Sequence, residues 1–201
     1  MKTTLCFLLL FTVEAFGQSS TDELVNIKDL IPDIAVDLKY NTADNFLHQK
    51  LYSTDECLLA MNAAQALRRV QDSLRARGIG LKVFDGYRPR AVQFLMWEIL
   101  PNPIYVADPR TGSNHNRGAA VDVTLIDLAS GQEFQMPTPF DWFGPEAAHD
   151  YMNLPPNVIA NRALLRDMME QVGGFLRLNS EWWHYDYPPA RPLPLVDFQL
   201  K

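Results

Sequence analysis

Cysteine is nearly absent. The 201 residues hold two, Cys6 and Cys57, and Cys6 lies inside an apolar opening stretch. The one thiol left beyond that stretch closes no internal disulfide, so the fold has to rest on burial. Cys57 sits at the apolar start of an expected helix and reads as a buried structural thiol, with nothing local to make it a nucleophile. Basic residues are the minority, 18 Lys and Arg against 24 Asp and Glu. The resulting net charge of -6 argues against nucleic acid or an anionic membrane surface as partner. Histidine is sparse, with four in all. No internal repeat, low-complexity segment or interdomain linker interrupts the chain, which has the length of one domain with a substantial core.

Long apolar runs are missing as well. Leu5 to Val13 is nine residues long, whereas a spanning helix needs about twenty. With Lys2 before it and Ala15-Phe16-Gly17 after it, this stretch reads as a secretory signal peptide over residues 1–17, leaving residues 18–201 as the mature domain. Glu14 is an unusual charge at its edge, and a buried N-terminal helix is the alternative. Cys6 has no small residues before it of the kind that precede a lipidated cysteine, so no stable membrane anchor is expected. The reading is of an exported protein, periplasmic or secreted.

Against this background, two stretches stand out. One is Ser113-Asn114-His115-Asn116-Arg117-Gly118-Ala119-Ala120-Val121-Asp122, and the other is Glu181-Trp182-Trp183-His184. A hydrolytic zinc site takes three nitrogen or oxygen ligands and keeps one position open for water. His115, Asp122 and His184 fill that requirement, and Glu181 is left over as a general base. The filling between His115 and Asp122 supports this. Asn116-Arg117-Gly118 is a turn, and Val121 to Leu125 alternates apolar and polar like a half-buried strand, with Asp122 opposite Val121 and Val123. Two neutral imidazoles and one carboxylate suit Zn²⁺ better than calcium or magnesium, which prefer more oxygen. Glu181 is harder to place: positions three apart in a regular strand face opposite ways. Either Glu181 precedes the strand on a loop, or a bulge lies within Trp182-Trp183.

Ser-x-His-x-Arg-Gly-x-Ala-x-Asp-x-Thr-Leu at 113–125, Asp-Gly-Tyr-Arg-Pro at 85–89 and Glu-Trp-Trp-His at 181–184 together resemble the zinc D-alanyl-D-alanine dipeptidases, within a wider group of D-Ala-D-Ala metallopeptidases. The likeness runs from about Leu38 to Tyr185. It implies hydrolysis of a small D,D-dipeptide with one Zn²⁺ per chain, metal-activated water and Glu181 as base. By the same resemblance Arg88 faces the scissile carbonyl, Ser113 contacts the substrate carboxylate, and Tyr40 and Asp141 hold its amino group. Plainer readings stand beside these. Arg88 could simply pair with Asp85, Asp141 could cap a turn before Gly144, and Tyr40 could be a loop aromatic. His48 and His149 read as surface or supporting histidines rather than ligands. A D-Ala-D-Ala carboxypeptidase acting on muropeptides, or a noncatalytic zinc-containing wall-binding module, would use much of the same inventory.

The remaining pattern supplies the frame. Ile34 to Leu38 suggests a short strand. Ser53 and Glu56 have the spacing of a capping box, opening a helix whose stripe is Ala60, Ala63, Leu67, Val70 and Leu74, with Gly78 as its stop. Leu81 to Phe84 is a strand turned by Asp85-Gly86, and Pro89 opens a helix to about Leu100. Ser130-Gly131 marks a hairpin from which Phe134 to Pro139 returns. Asn157 to Val172 is helical, with Ile159, Leu164, Leu165, Met168 and Val172 as its apolar side; Gly174 to Leu178 begins a strand, and Pro188 to Pro194 is a surface strap. The expected fold is α+β, a single domain with a small, largely antiparallel sheet flanked by helices and the zinc site on the sheet.

Overall fold

The structure, a computed structural model, describes residues 23–200; the expected signal peptide at 1–17 lies outside them. It consists of a short two-stranded pair, a five-stranded sheet and the helices that flank it. β1 (Leu24–Asn26) pairs antiparallel with β3 (Leu58–Ala60). The larger sheet has the order β2 (Ala35–Val36), β4 (Ile79–Asp85), β5 (Ala120–Asp127), β7 (Glu181–Asp186), β6 (Leu176–Leu178), and only β2 and β4 run parallel. The α+β class and the largely antiparallel sheet are as expected. Among the described residues, no helix is long and apolar enough to cross a membrane.

After the one-turn α1 (Ile27–Leu30), the main helix α2 (Met61–Arg75) buries Ala63, Leu67, Val70 and Leu74 and leaves Arg68, Arg69, Asp72 and Arg75 to solvent. Its start differs from the expected capping box. Ser53 instead donates to the Leu200 carbonyl, and the Glu56 amide is taken by Thr54. The intervening residues join β1 as β3, so the helix begins only at Met61, whose amide bonds the Glu23 carbonyl. Gly78 closes the turn after α2 with φ +71°. α3 (Arg90–Ile99) follows Pro89 as expected.

Two further expectations need correction. The hairpin at Ser130-Gly131 forms, but the returning segment makes only an isolated bridge, Ile126 to Glu133, in place of a strand. The helix from residue 157 is divided into α4 (Pro156–Asp167) and a π-helical turn over Met168–Gly173. Its buried residues Val158, Arg162, Leu165 and Met169 recur at spacings of four, three and four, so the inward face is turned slightly from the stripe read in the sequence; Leu165 belongs to both, and Leu164, Met168 and Val172 pack half-buried against the core.

β5 is buried on both faces, which also departs from the half-buried strand read from its alternation. Register explains the pattern. Val121, Val123 and Leu125 share a face with Leu81 and Val83, all 0% exposed, on the side covered by α2, where Gln71 accepts the Leu81 amide. Asp122, Thr124 and, across β7, His184 lie on the other face. That second face is roofed by loops, and the site lies there.

Candidate active site

His115 comes from the loop before β5, in a short 3-10 turn closed by Gly118 at φ +63°. A Cβ at Gly118 would lie 2.7 Å from the Ala60 amide nitrogen, so only glycine lets this loop rest on β3. The loop is tied to the segment carrying Arg88. Asn116 donates to the Arg88 carbonyl at 2.8 Å, and the Arg88 amide donates to the His115 carbonyl at 3.1 Å. The C-terminal strap crosses outside, with the Val196 amide on the Asn116 carbonyl and Arg117 on the Leu193 carbonyl.

Asp122 and His184 are directly paired in the β5–β7 register, so they emerge side by side from the sheet. The three donor atoms are mutually close. His184 Nδ1 lies 3.0 Å from Asp122 Oδ1, His115 Nε2 lies 3.2 Å from His184 Nδ1, and His115 Nε2 lies 3.5 Å from Asp122 Oδ1. Ligand bonds of about 2.0–2.1 Å in a tetrahedron put donors about 3.3 Å apart, so the trio fits one small cation. The far nitrogens are committed elsewhere. His115 Nδ1 donates to the Gly86 carbonyl at 2.7 Å and His184 Nε2 to Asp186 Oδ1 at 3.1 Å, so each ring presents its lone pair to the common point. Gly86 is fixed in turn, because a Cβ there would lie 2.7 Å from the Leu58 carbonyl and from Cys57 Sγ. Cys57 is thus a packing thiol, 2% exposed. Burial works to raise the Asp122 carboxyl, but His115 and His184 outweigh it and hold it well below the ordinary carboxylate range. The Asp122 side of the site calls for positive charge.

Two irregularities bring the other polar groups to this face. In β4, Val83 pairs with Val123 and Asp85 with Asp122, so one extra residue at Phe84 turns Asp85 onto the face of Asp122. In β7, Tyr185 pairs with Arg177 but Glu181 pairs with the next residue, Leu178. The excess lies on β7 and resolves the spacing of Glu181 and His184 in favour of the bulge. Consecutive Trp183 and His184 then line the same pocket as Glu181, which a regular strand forbids. Glu181 is 7% exposed, and burial pushes its carboxyl up to about 8.

Arg88 does pair with Asp85, through Nε at 2.9 Å and Nη2 at 2.7 Å, and Nη1 donates to Gln93. It also lines the pocket, with its guanidinium 5.1 Å from the Tyr40 ring and 3.9 Å from Asp122 Oδ2. The plain reading and the pocket reading therefore hold together. Tyr40, 2% exposed in a short 3-10 turn, donates to Asp141 at 3.1 Å, and the Phe46 amide also points at that carboxylate. Asp141 has φ +60°, and burial pushes its carboxyl up to about 7. Ser113 lines the pocket and accepts the His115 amide.

All eight residues singled out in the sequence line one cavity of ≈ 280 Å³, slightly smaller than the roughly 300–1,000 Å³ of sites for drug-sized ligands. Asp85, which aims Arg88, was read in the sequence only as its plain ion-pair partner, and Asp186, which aims His184, was not singled out. The signal for Asp186 was its position two residues beyond His184 on one strand. His48 is exposed; His149 is buried against Tyr185, away from the cavity lining.

Known proteins resemble this chain over most of its length. A family model described as D-ala-D-ala dipeptidase matches residues 20–199. The chain is 38% identical over 182 residues to the D-alanyl-D-alanine dipeptidase of Escherichia coli (strain K12), covering 90% of this chain and 93% of that one. It is 34% identical to the D-alanyl-D-alanine dipeptidase of Streptomyces coelicolor, over 82% of this chain and 91% of that one. With the D-alanyl-D-alanine dipeptidase of Enterococcus faecium it shares 31% identity, over 87% of this chain and 96% of that one.

Proposed function

The chain belongs to the D-ala-D-ala dipeptidase family, and on that premise we propose that it hydrolyses the peptide bond of free D-alanyl-D-alanine with one Zn²⁺ per chain. The observation that carries the proposal is the triangle of His115, Asp122 and His184 donors, with edges of 3.0–3.5 Å, in a small cavity that also holds an uncommitted Glu181. Zn²⁺ held by these three residues supplies a Lewis acid and a water acidified to near neutrality.

The chain's own groups do the rest. Glu181 accepts the proton of the attacking water and returns it to the departing amine, so that water adds across the amide and two D-alanines leave. Burial alone would keep this carboxyl protonated at neutral pH; a cation at the neighbouring ligands favours the ionised form and readies it as a base. Arg88, aimed by Asp85 and Gln93, donates N–H to the carbonyl oxygen as negative charge builds there. Ser113 receives the substrate carboxylate. Tyr40 and Asp141 hold the ammonium group, whose charge in turn keeps Asp141 ionised.

An ammonium-seeking carboxylate that is buried at the amino end disfavours a carboxypeptidase of long muropeptides. The presence of Glu181 and Arg88 in the same cavity disfavours a noncatalytic binding module. The test is metal analysis together with cleavage of D-Ala-D-Ala and N-acetyl-D-Ala-D-Ala. One zinc per chain and strong preference for the free dipeptide are expected. Equal cleavage of both substrates would move the activity to the carboxypeptidase; zinc without cleavage would leave a binding module. We also place the working protein outside the cytoplasmic membrane, with residues 1–17 removed on export. N-terminal sequencing of the exported protein should begin at Gln18, and a chain retaining Met1 would refute it.

A further inference from the structure

The cavity is crossed at one end by aromatic rings that the proposed chemistry does not use. Tyr105, from the loop between α3 and the His115 turn, packs on Phe143 with ring centroids 4.8 Å apart. Phe143 packs on Phe46 at 5.1 Å, and Phe46 stands edge-on to Tyr40 at 6.5 Å. All four line the cavity. They come from three separate loops, so the contacts join chain segments that no strand pairing holds together. The arc ends at Asp141: Tyr40 donates to that carboxylate, the Phe46 amide points at it, and Phe143 comes two residues after it.

Phe143 is peculiar among them. Tyr40 belongs to the hydrophobic core, and Phe46 and Tyr105 pack against it, but Phe143 lies outside that cluster and is only half-buried. Its ring contacts are with the two neighbouring loops. The backbone around it is bent to deliver it. Asp141 takes a left-handed φ of +60°, uncommon for a non-glycine residue. Trp142 then turns outward at 50% exposure while Asp141 and Phe143 turn to the cavity. A non-glycine residue in that conformation persists where its surroundings require it.

We propose that the Tyr105–Phe143–Phe46 arc is the device that sets substrate length, closing the cavity just beyond the ammonium position so that a peptide extended by one residue at its amino end has nowhere to go. This rests on the dipeptidase reading and adds to it a steric limit distinct from the charge of Asp141. Charge recognition rejects a blocked amino group, yet a tripeptide keeps its ammonium and would satisfy a carboxylate that could be approached from further out. Only a wall rejects it.

The experiment therefore uses D-Ala-D-Ala and D-Ala-D-Ala-D-Ala, both with free ammonium groups, on the zinc-loaded wild type, Phe143→Ala and Tyr105→Ala. The readout is the ratio of kcat/KM for tripeptide over dipeptide, in which any general loss of activity cancels. That ratio should be low in the wild type and rise at least tenfold in each variant, with KM for the tripeptide falling more than kcat rises. Phe143→Leu, which keeps bulk without the ring contacts, should give a smaller rise. A wild type that does not cleave D-Ala-D-Ala would sink the functional reading itself. A wild type that does, with ratios unchanged in both alanine variants, would overturn the length device alone. Loss of folding in both variants, judged by circular dichroism, would also overturn it, by making the arc a structural brace.

Discussion

On the cavity face of the sheet, the imidazoles of His115 and His184 have both ring nitrogens engaged. On the helix face, His149 is 7% exposed, and neither of its nitrogens has a partner among the described residues. The two histidine environments differ in what they ask of charge. Near His184, Asp122 and Asp186 call for a cation, and the backbone and carboxylate partners fix which nitrogen meets it. Near His149, burial and the surrounding Arg177, Arg162 and Arg166 penalise a proton, and the ring is driven down to about 3 and kept neutral. Its neighbour Tyr185 leaves its hydroxyl unpartnered too. One face is arranged around a positive charge; the other accepts an imidazole only while it carries none.

The largest effect that would break this contrast is at Glu181, which lies on the cavity face yet is proposed to stay off the metal. Glu181→Gln keeps the size of the side chain and removes its basicity. kcat should fall by roughly 10²–10⁴, while zinc stoichiometry, measured on the same preparation, stays at one per chain and KM changes much less. Loss of zinc with activity would make Glu181 a ligand.

A smaller effect is expected behind the ligands. Asp186→Asn should leave His184 free to turn or to present the wrong nitrogen, weakening zinc binding by roughly 10–100-fold. Competition with a chelator reads this directly. Unchanged affinity would show that Asp186 serves Arg191, which it also binds at 2.8 Å, and not the metal site.

The smallest effect belongs to the helix face. From the ordinary value of 6.5 down to about 3, the unfolded chain binds a proton at His149 that the folded chain refuses. Stability from this ring is therefore complete above pH 6.5 and lost as pH falls towards 3, with an upper bound of about 5 kcal/mol. His149→Phe keeps a ring against Tyr185 without titrating. Its urea midpoint should fall less than that of the wild type between pH 7.5 and pH 5; parallel curves would mean that another group carries the acid sensitivity.

Much of the site was legible in the chain because its parts are short-range. His115, Gly118 and Asp122 fall within one turn and one strand, and a glycine between a histidine and a β-rich stretch says that the backbone must bend closely there. Arg88 was legible as the residue between a strand and Pro89. Asp85 was legible as the partner of Arg88 three residues on, but Asp186 was not, because its work is to hold another side chain, and a carboxylate that orients looks in sequence like one that is merely solvated. The capping box at Ser53 misled for a related reason. Its spacing was right for a helix start, but the pairing of residues 58–60 with a strand more than thirty residues earlier outweighed a local cap.

Residue types and their order were enough for the candidate donor trio, the α+β class and the expectation of an export signal, since donor chemistry, periodicity and turn residues are local properties. The sidedness of the site was not local. Strand alternation sends Glu181 and His184 to opposite faces and puts Asp85 with Val83, and only the extra residues accommodated in β7 and β4 bring them to the cavity. Whether a strand bulges depends on the partner strand's register and on what the rings of Trp182 and Trp183 can bury against. Those are relations between segments far apart in the chain, and they exist only once the sheet has closed.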